Sequence, residues 1–246
     1  MRTYLLLAIL GSLLFGSCKK ENPELPVGFY AYDYFPLAIG KYWTYQIDSV
    51  IFDPSVSGHP FRISSNLVKT TMIDTFIDGS GLLNYVVEYA IMNQTTQQWE
   101  PAYLGRASRS VSEAFLDEAG RKLVKMTFPP VAGAHWDGTR YLNQQAVVYI
   151  SGEPIEMFKD WDPRIVSTDE PGTIGNASFD KILTIEFVDT ESRIEKRLAL
   201  EKYIRGVGLA YREYWILDTQ LNTDERPWDQ KAQRGFILTQ QLMDHN

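Results

Sequence analysis

An aromatic residue flanked by two acids is the local pattern in this sequence best suited to ligand chemistry. Asp160, Trp161 and Asp162 are consecutive, and Phe158 lies two residues before them. An indole ring can stack on a sugar or cover an apolar ligand while neighbouring carboxylates accept hydrogen bonds. These four residues are therefore the predicted ligand contacts.

The segment that contains these residues is predicted to be a long loop. It spans residues 151–179 and includes three prolines and three glycines. Structureless loops longer than about 12–15 residues are uncommon in compact domains and are often functional. Its apolar side chains also fit a loop that packs over one open end of a sheet as a structural cover. The sequence leaves both alternatives open.

The common catalytic and metal-binding motifs are absent from the sequence. None of the three histidines, His59, His135 and His245, lies four residues from another, and no H-E-x-x-H, G-x-S-x-G or P-loop motif occurs. Residues 178–181 match S-x-x-K, but its companion motifs S-D-N and K-T-G are missing. We therefore predict no catalytic residue, no metal and no cofactor. A glycosidase-type pair of carboxylates, distant in sequence, stays open.

Cys18 is the only cysteine in the chain. An intrachain disulfide and a multi-cysteine metal site are therefore excluded. The residue follows an apolar run, residues 4–15, that begins shortly after Arg2. A membrane-spanning helix needs about 20 apolar residues, so this shorter run suits the core of a signal peptide covering residues 1–17.

Residues 15–18, Phe-Gly-Ser-Cys, resemble the lipobox at which a bacterial cysteine is diacylated, although Phe15 stands where Leu is usual. The following Cys-Lys-Lys-Glu is similar to the start of lipoproteins of Bacteroidota-type bacteria. The resemblance implies a lipid anchor at Cys18, a tether over residues 18–33 and the membrane as a partner. Lys19 in place of aspartate implies the outer membrane, with the leaflet left open. The alternative is an ordinary cleaved signal with an incidental cysteine.

Composition restricts the partners of the body, residues 34–246. The chain has 24 basic and 31 acidic residues, a net charge of −7. An acidic protein without a basic cluster is not expected to bind nucleic acid. Hydrophobic residues make up 44% of the chain, which is sufficient for a packed core. The length fits a single domain if the body is all-β.

The body shows the apolar alternation of half-buried strands. The apolar stripes are Trp43, Tyr45 and Ile47; Leu67, Thr71, Ile73 and Ile77; Leu83, Tyr85, Val87, Tyr89 and Ile91; Val124, Met126 and Phe128; Ala146, Val148 and Ile150; Leu183, Ile185 and Phe187; Leu209, Tyr211, Trp215 and Leu217; and Phe236, Leu238 and Leu242. Short Gly-, Pro- and Asp-containing turns separate many of them. This pattern predicts an all-β, mainly antiparallel fold, a curved meander or half-barrel with at most one or two short helices, one of them within residues 227–234.

Two motifs resemble those of a broad group of uncharacterised envelope proteins. Residues 35–45 match the opening F-P-L-x-x-G-x-x-W-x-Y of that group, and residues 203–209 match its Y-x-x-G-V-G-L motif. The resemblance implies a β-rich body that is similar to the half-barrels of lipoprotein carriers. It implies no established activity.

Three functions are consistent with these observations. The first is a non-catalytic binding or structural role in the cell envelope, with a glycan, lipid or protein as partner. The second is a half-barrel carrier of an apolar ligand. The third is a carbohydrate-active enzyme, which would require two facing carboxylates in an open cleft.

The lipid anchor can be tested by metabolic labelling with palmitate. We expect the wild-type chain and a Lys20→Ser control to incorporate the label and a Cys18→Ser variant to lose it, because the acyl group is attached through the residue-18 cysteine. Label retained by Cys18→Ser would exclude the anchor.

Overall fold

The computed structural model describes residues 28–54 and 61–246. The predicted signal peptide, Cys18 and most of the tether lie outside the described residues. In the described part, no helix is long and apolar enough to cross a bilayer. The strands are β1 (Tyr42–Phe52), β2 (Phe61–Ile77), β3 (Leu83–Met92), β4 (Trp99–Arg109), β5 (Glu113–Glu118), β6 (Arg121–Thr127), β7 (Val148–Ile150), β8 (Glu153–Ile155), β9 (Arg164–Ile174), β10 (Ala177–Glu191), β11 (Glu195–Ile204), β12 (Gly208–Asp218) and β13 (Arg234–His245). A 3-10 helix spans Tyr32–Tyr34, and the helix α1 spans Trp228–Lys231.

Eleven of the described strands form one antiparallel sheet in the order β6-β5-β4-β3-β2-β1-β13-β12-β11-β10-β9, and β7 and β8 form a separate hairpin. Neighbours in the sheet are also neighbours in the chain, except that β1 pairs with β13. This pairing joins a meander from the first half of the chain to a meander from the second. The prediction of an all-β, mainly antiparallel curved meander or half-barrel with at most one or two short helices is confirmed.

The sheet is curled, so that strands far apart in its order face each other. Lys125 on β6 contacts Glu201 on β11 at 2.7 Å. The main core lies between these two parts of the sheet and includes Met126 of β6, Phe187 of β10 and Ala199 of β11, all of them fully buried. Burial of both walls against each other removes apolar surface from water on the concave side, which favours the curl.

The alternation in β2 predicted the wrong inward face. The structure buries Thr70 and Met72, whereas Ile73 and Ile77 of the predicted stripe are 43% and 70% exposed. Residues paired across antiparallel strands lie on the same face, and Thr70 pairs with the buried Trp43 of β1. Both faces of β2 contain apolar side chains, so the pairing with its neighbours decides which face is inside.

The prediction of a loop over residues 151–179 is corrected by the structure, which places β8, β9 and the start of β10 within it. Pro171 lies inside β9 and favoured the loop interpretation. β9 is an edge strand of the sheet, where one side of the backbone has no partner. Proline lacks an N–H group and is tolerated at such an edge.

The remaining irregular part of that segment covers the core. Phe158 and Trp161 are each 3% exposed, and the Trp161 ring lies 5.0 Å from the rings of both Phe158 and Phe187. Asp160 and Asp162 are exposed. The two aromatic rings therefore pack in the protein interior, as the structural-cover alternative expects, while the two carboxylates face solvent.

Replacement of Trp161 measures how much this packing contributes to the free energy of unfolding. Trp161→Ala should lower the free energy of unfolding by about 3–5 kcal/mol, because a large buried ring is removed. The matched control is Tyr149→Ala, since Tyr149 is 70% exposed and its loss should cost within about 0.5 kcal/mol. Urea melts of both variants give the two free energies of unfolding to compare. An unchanged midpoint for Trp161→Ala would contradict the packing role.

Candidate functional site

The concave face of the half-barrel contains a cavity of about 300 Å³. This volume lies at the lower end of the range of small-molecule sites, roughly 300–1,000 Å³. Most of the wall is apolar and comes from inward side chains of β1 to β4: Trp43, Tyr45, Val68, Met72, Val87 and Ala107. The alternation of these strands turns one row of side chains inward, and the small side chain of Ala107 leaves space between larger neighbours.

One end of the cavity is closed by the segment that precedes β1. Phe35 and Pro36 line this end together with Gly208 at the start of β12. Gly208 has a φ of +102°, and a Cβ atom there would lie 3.2 Å from Cδ of Pro36. Glycine therefore permits both the turn and the close approach. The indole N–H of Trp43 donates to the carbonyl of Val207 at 2.6 Å and ties β1 to the same turn.

The opposite side of the cavity reaches solvent beside β3 and β4. Ile91 and Tyr103 both line the cavity and are 40% and 44% exposed. The Tyr103 ring stacks on the ring of buried Tyr89, with centroids 4.4 Å apart. Two half-exposed apolar side chains at an opening are suited to contact with an apolar ligand that enters it.

The polar wall of the cavity is built on a buried carboxylate, that of Glu201. It accepts hydrogen bonds from Lys125 at 2.7 Å and from Nε of Arg212 at 2.8 Å. The hydroxyls of Tyr203 and Tyr214 also donate to it, at 2.5 and 2.7 Å. Burial raises the pKa of Glu201, but the two cations and these hydrogen bonds outweigh burial and lower it from 4.5 to about 2. The carboxylate is therefore ionised at neutral pH.

Lys125 is the second cation paired with this carboxylate, and it does not line the cavity. Its side chain is 1% exposed, and burial lowers its pKa although Glu201 opposes the shift. Its ammonium group also lies 4.3 Å from the centre of the Phe187 ring. An ion buried in this way is stable only with a close partner of opposite charge, so Lys125 and Glu201 depend on each other.

Arg212 connects the buried network to the cavity. Arg212, Glu118 and Gln240 all line the cavity. Nη1 of Arg212 donates to Oε1 of Gln240 at 3.3 Å and lies 3.9 Å from the Glu118 carboxylate. The hydroxyl of Tyr89 donates to Glu118 at 2.7 Å. The cavity thus combines an apolar wall with one cation, one carboxylate and one amide.

This lining is suited to binding an amphiphile. Among its described residues none is Ser, Cys, His or Lys, and the only acid is Glu118. A glycosidase site needs two carboxylates about the scissile bond, and the described lining provides one. An apolar pocket with a few convergent polar groups is the usual form of a small-molecule site.

The four predicted ligand contacts, Phe158, Asp160, Trp161 and Asp162, do not line this cavity. Their role in binding a ligand elsewhere stays a prediction.

Sequence reasoning missed Arg212 and Glu118. The apolar stripe predicted for this strand, Leu209, Tyr211, Trp215 and Leu217, put Arg212 on the opposite face, whereas the structure places Arg212 between the buried Ala210 and Tyr214. A charge at such a position is unusual unless it is paired.

Comparison with known proteins finds no matching protein family and no matching curated protein. Two solved structures are similar to this chain. One is a candidate lipoprotein from Parabacteroides distasonis, with 13% identity and a TM-score of 0.41. The other is a candidate exported protein with a YmcC-like fold from Bacteroides fragilis, with 11% identity and a TM-score of 0.40. Each match covers 87% of this chain and 98% of the other chain.

The buried network makes a prediction about acid stability. The pKa of Glu201 is lowered from 4.5 to about 2, so its contribution to stability is complete above pH 4.5 and is lost as the pH falls toward 2. Glu201→Gln should cost about 3–5 kcal/mol at pH 7, because it leaves buried cations unpaired. It should also reduce the fall in stability between these two pH values.

The control is Glu186→Gln, which removes a carboxylate paired with Arg164, a side chain that is 51% exposed. Its cost should stay below about 1 kcal/mol. Urea melts at pH 7 and pH 3 provide the measurement. If the two variants are equally stable at pH 7, the Glu201 network does not hold the sheet together.

Proposed function

We propose that this protein is a lipid-anchored protein of the bacterial cell envelope that binds an apolar ligand in the concave cavity of its half-barrel. The observation that carries the proposal is the cavity itself, which has an apolar wall, half-exposed lining residues at Ile91 and Tyr103, and a polar group at Arg212. The role is non-catalytic binding, and the protein is a carrier or receptor for the ligand.

The energetics favour a ligand with a hydrocarbon part. Each CH₂ group moved from water into such a wall contributes about 0.8 kcal/mol. The wall is also largely pre-formed, since Trp43, Tyr45, Met72 and Val87 are each less than 10% exposed. A pre-formed site lowers the cost of ordering side chains when a ligand binds.

A lipid anchor would place the cavity where its proposed ligands are found. Lipidation at Cys18 would hold the protein at a membrane surface, where amphiphiles are concentrated. Lys19 directly after the cysteine supports the outer membrane as that surface. A purely structural role would not require an apolar cavity that opens to solvent, and a carbohydrate-active enzyme would require a second carboxylate at this site.

Narrowing the cavity should weaken binding. The neutral fluorescent probe N-phenyl-1-naphthylamine should bind saturably to the wild type and at least about tenfold more weakly to Val68→Phe, because Val68 lines the cavity and a larger ring occupies part of it. The matched control is Val166→Phe on β9, where Val166 is 48% exposed and is not part of the lining. Fluorescence titration gives the affinities, and urea melts confirm that both variants fold.

Equal affinity of the wild type and both variants would contradict binding in this cavity. Absence of any saturable binding to the wild type would contradict the proposed function itself.

A further inference from the structure

We infer that the ligand of this cavity is an amphiphile with an anionic head, and that Arg212 binds the head. The inference rests on the proposed function and names the chemical class of its ligand. Three observations support it: the unused donors of Arg212, the loose contact between Arg212 and Glu118, and the position of Gln240.

Arg212, which lines the cavity, has hydrogen-bond donors to spare. A guanidinium group has five N–H donors. Nε donates to Glu201 and Nη1 donates to Gln240, whereas Nη2 has no hydrogen-bond partner among the described residues. The bond to Glu201 fixes the orientation of the guanidinium group of this lining residue. A fixed guanidinium fork matches the geometry of a carboxylate or phosphate.

Glu118 is the residue that partly neutralises Arg212 in the absence of ligand. The two groups are 3.9 Å apart, which is longer than a hydrogen bond. The Glu118 side chain is 30% exposed and lies at the end of β5, next to the turn before β6. A carboxylate this close to solvent can turn toward water when an anionic head pairs with Arg212. Glu118 therefore competes with the ligand head.

Gln240 supplies a second donor beside Arg212. Its side chain lines the cavity, and its Oε1 accepts from Arg212, which leaves the amide N–H groups to donate. An anionic head can accept from both side chains. A cationic head would instead have to pair with Glu118 while lying next to Arg212, and like charges at such a distance repel.

Three probes with the same ten-carbon chain and different heads test the inference. Decanoate, decanol and decylamine are each titrated against the full chain by displacement of N-phenyl-1-naphthylamine. We expect decanoate to bind about tenfold more tightly than decanol, since a hydrogen bond to a charged group is stronger than one to a neutral group. Decylamine should bind most weakly.

The outcomes separate the two proposals. Failure of all three compounds to displace the probe would overturn the proposed function. Equal affinity for decanoate and decanol would leave the proposed function standing and overturn the role of Arg212. Tightest binding of decylamine would also overturn it and assign the head group to Glu118.

Substitution of Glu118 provides a test that does not remove a buried charge. Replacing Arg212 itself would leave Glu201 with one cation and could unfold the protein. Glu118→Gln should bind decanoate more tightly than the wild type by about tenfold and leave decanol unchanged, because a competing charge is removed. A glutamine at position 118 can still accept from Tyr89, so the local hydrogen bond is kept.

The matched control is Glu113→Gln on β5, since Glu113 pairs with Arg140 and is not part of the lining. It should leave the affinity for both compounds unchanged. Unchanged or weaker binding of decanoate to Glu118→Gln would overturn the inference. An equal gain in the affinity of Glu118→Gln for decanoate and for decanol would also overturn the inference, because it would indicate a change in cavity shape.

Discussion

The curvature of the sheet depends on the ion pairs of one buried carboxylate. Glu201 is fully buried and pairs with Lys125 and Arg212. An unpaired charge in the interior costs several kcal/mol, so each ion requires the others. Lys125 belongs to β6 at one edge of the sheet, whereas Glu201 and Arg212 belong to β11 and β12 near the other. The pairing is possible only when the sheet curls and brings these strands face to face.

The same curl creates the candidate site. Strands β5 and β6 meet β10 to β12 in the main core, while the inward side chains of β1 to β4 face a space that is not filled. Arg212 lies at the border and belongs to both the network and the cavity wall. The fold and the proposed ligand site therefore share one residue, and substitutions at Glu118 or Val68 are needed to test the site separately.

Much of the architecture could be predicted from the sequence, because alternation of apolar and polar residues determines strands directly. Strands β1, β3 and β13 appear where the pattern places them. The pattern failed for β4 and β5, which the apolar stripes do not include, because β4 is largely exposed and shows little alternation. It also failed for β9, where Pro171 is tolerated only because the strand lies at an edge, and edge position is a property of the whole sheet.

The sequence by itself determined the strand content, the absence of common catalytic motifs and the lipobox-like pattern at Cys18. Only the tertiary structure decided which face of β2 is buried, because that choice follows from pairing with Trp43 and not from the residues of β2 alone. Only the tertiary structure brought Arg212 and Glu118 together. They lie on strands that are separated along the chain, and a contact between such strands exists only after the sheet has closed on itself.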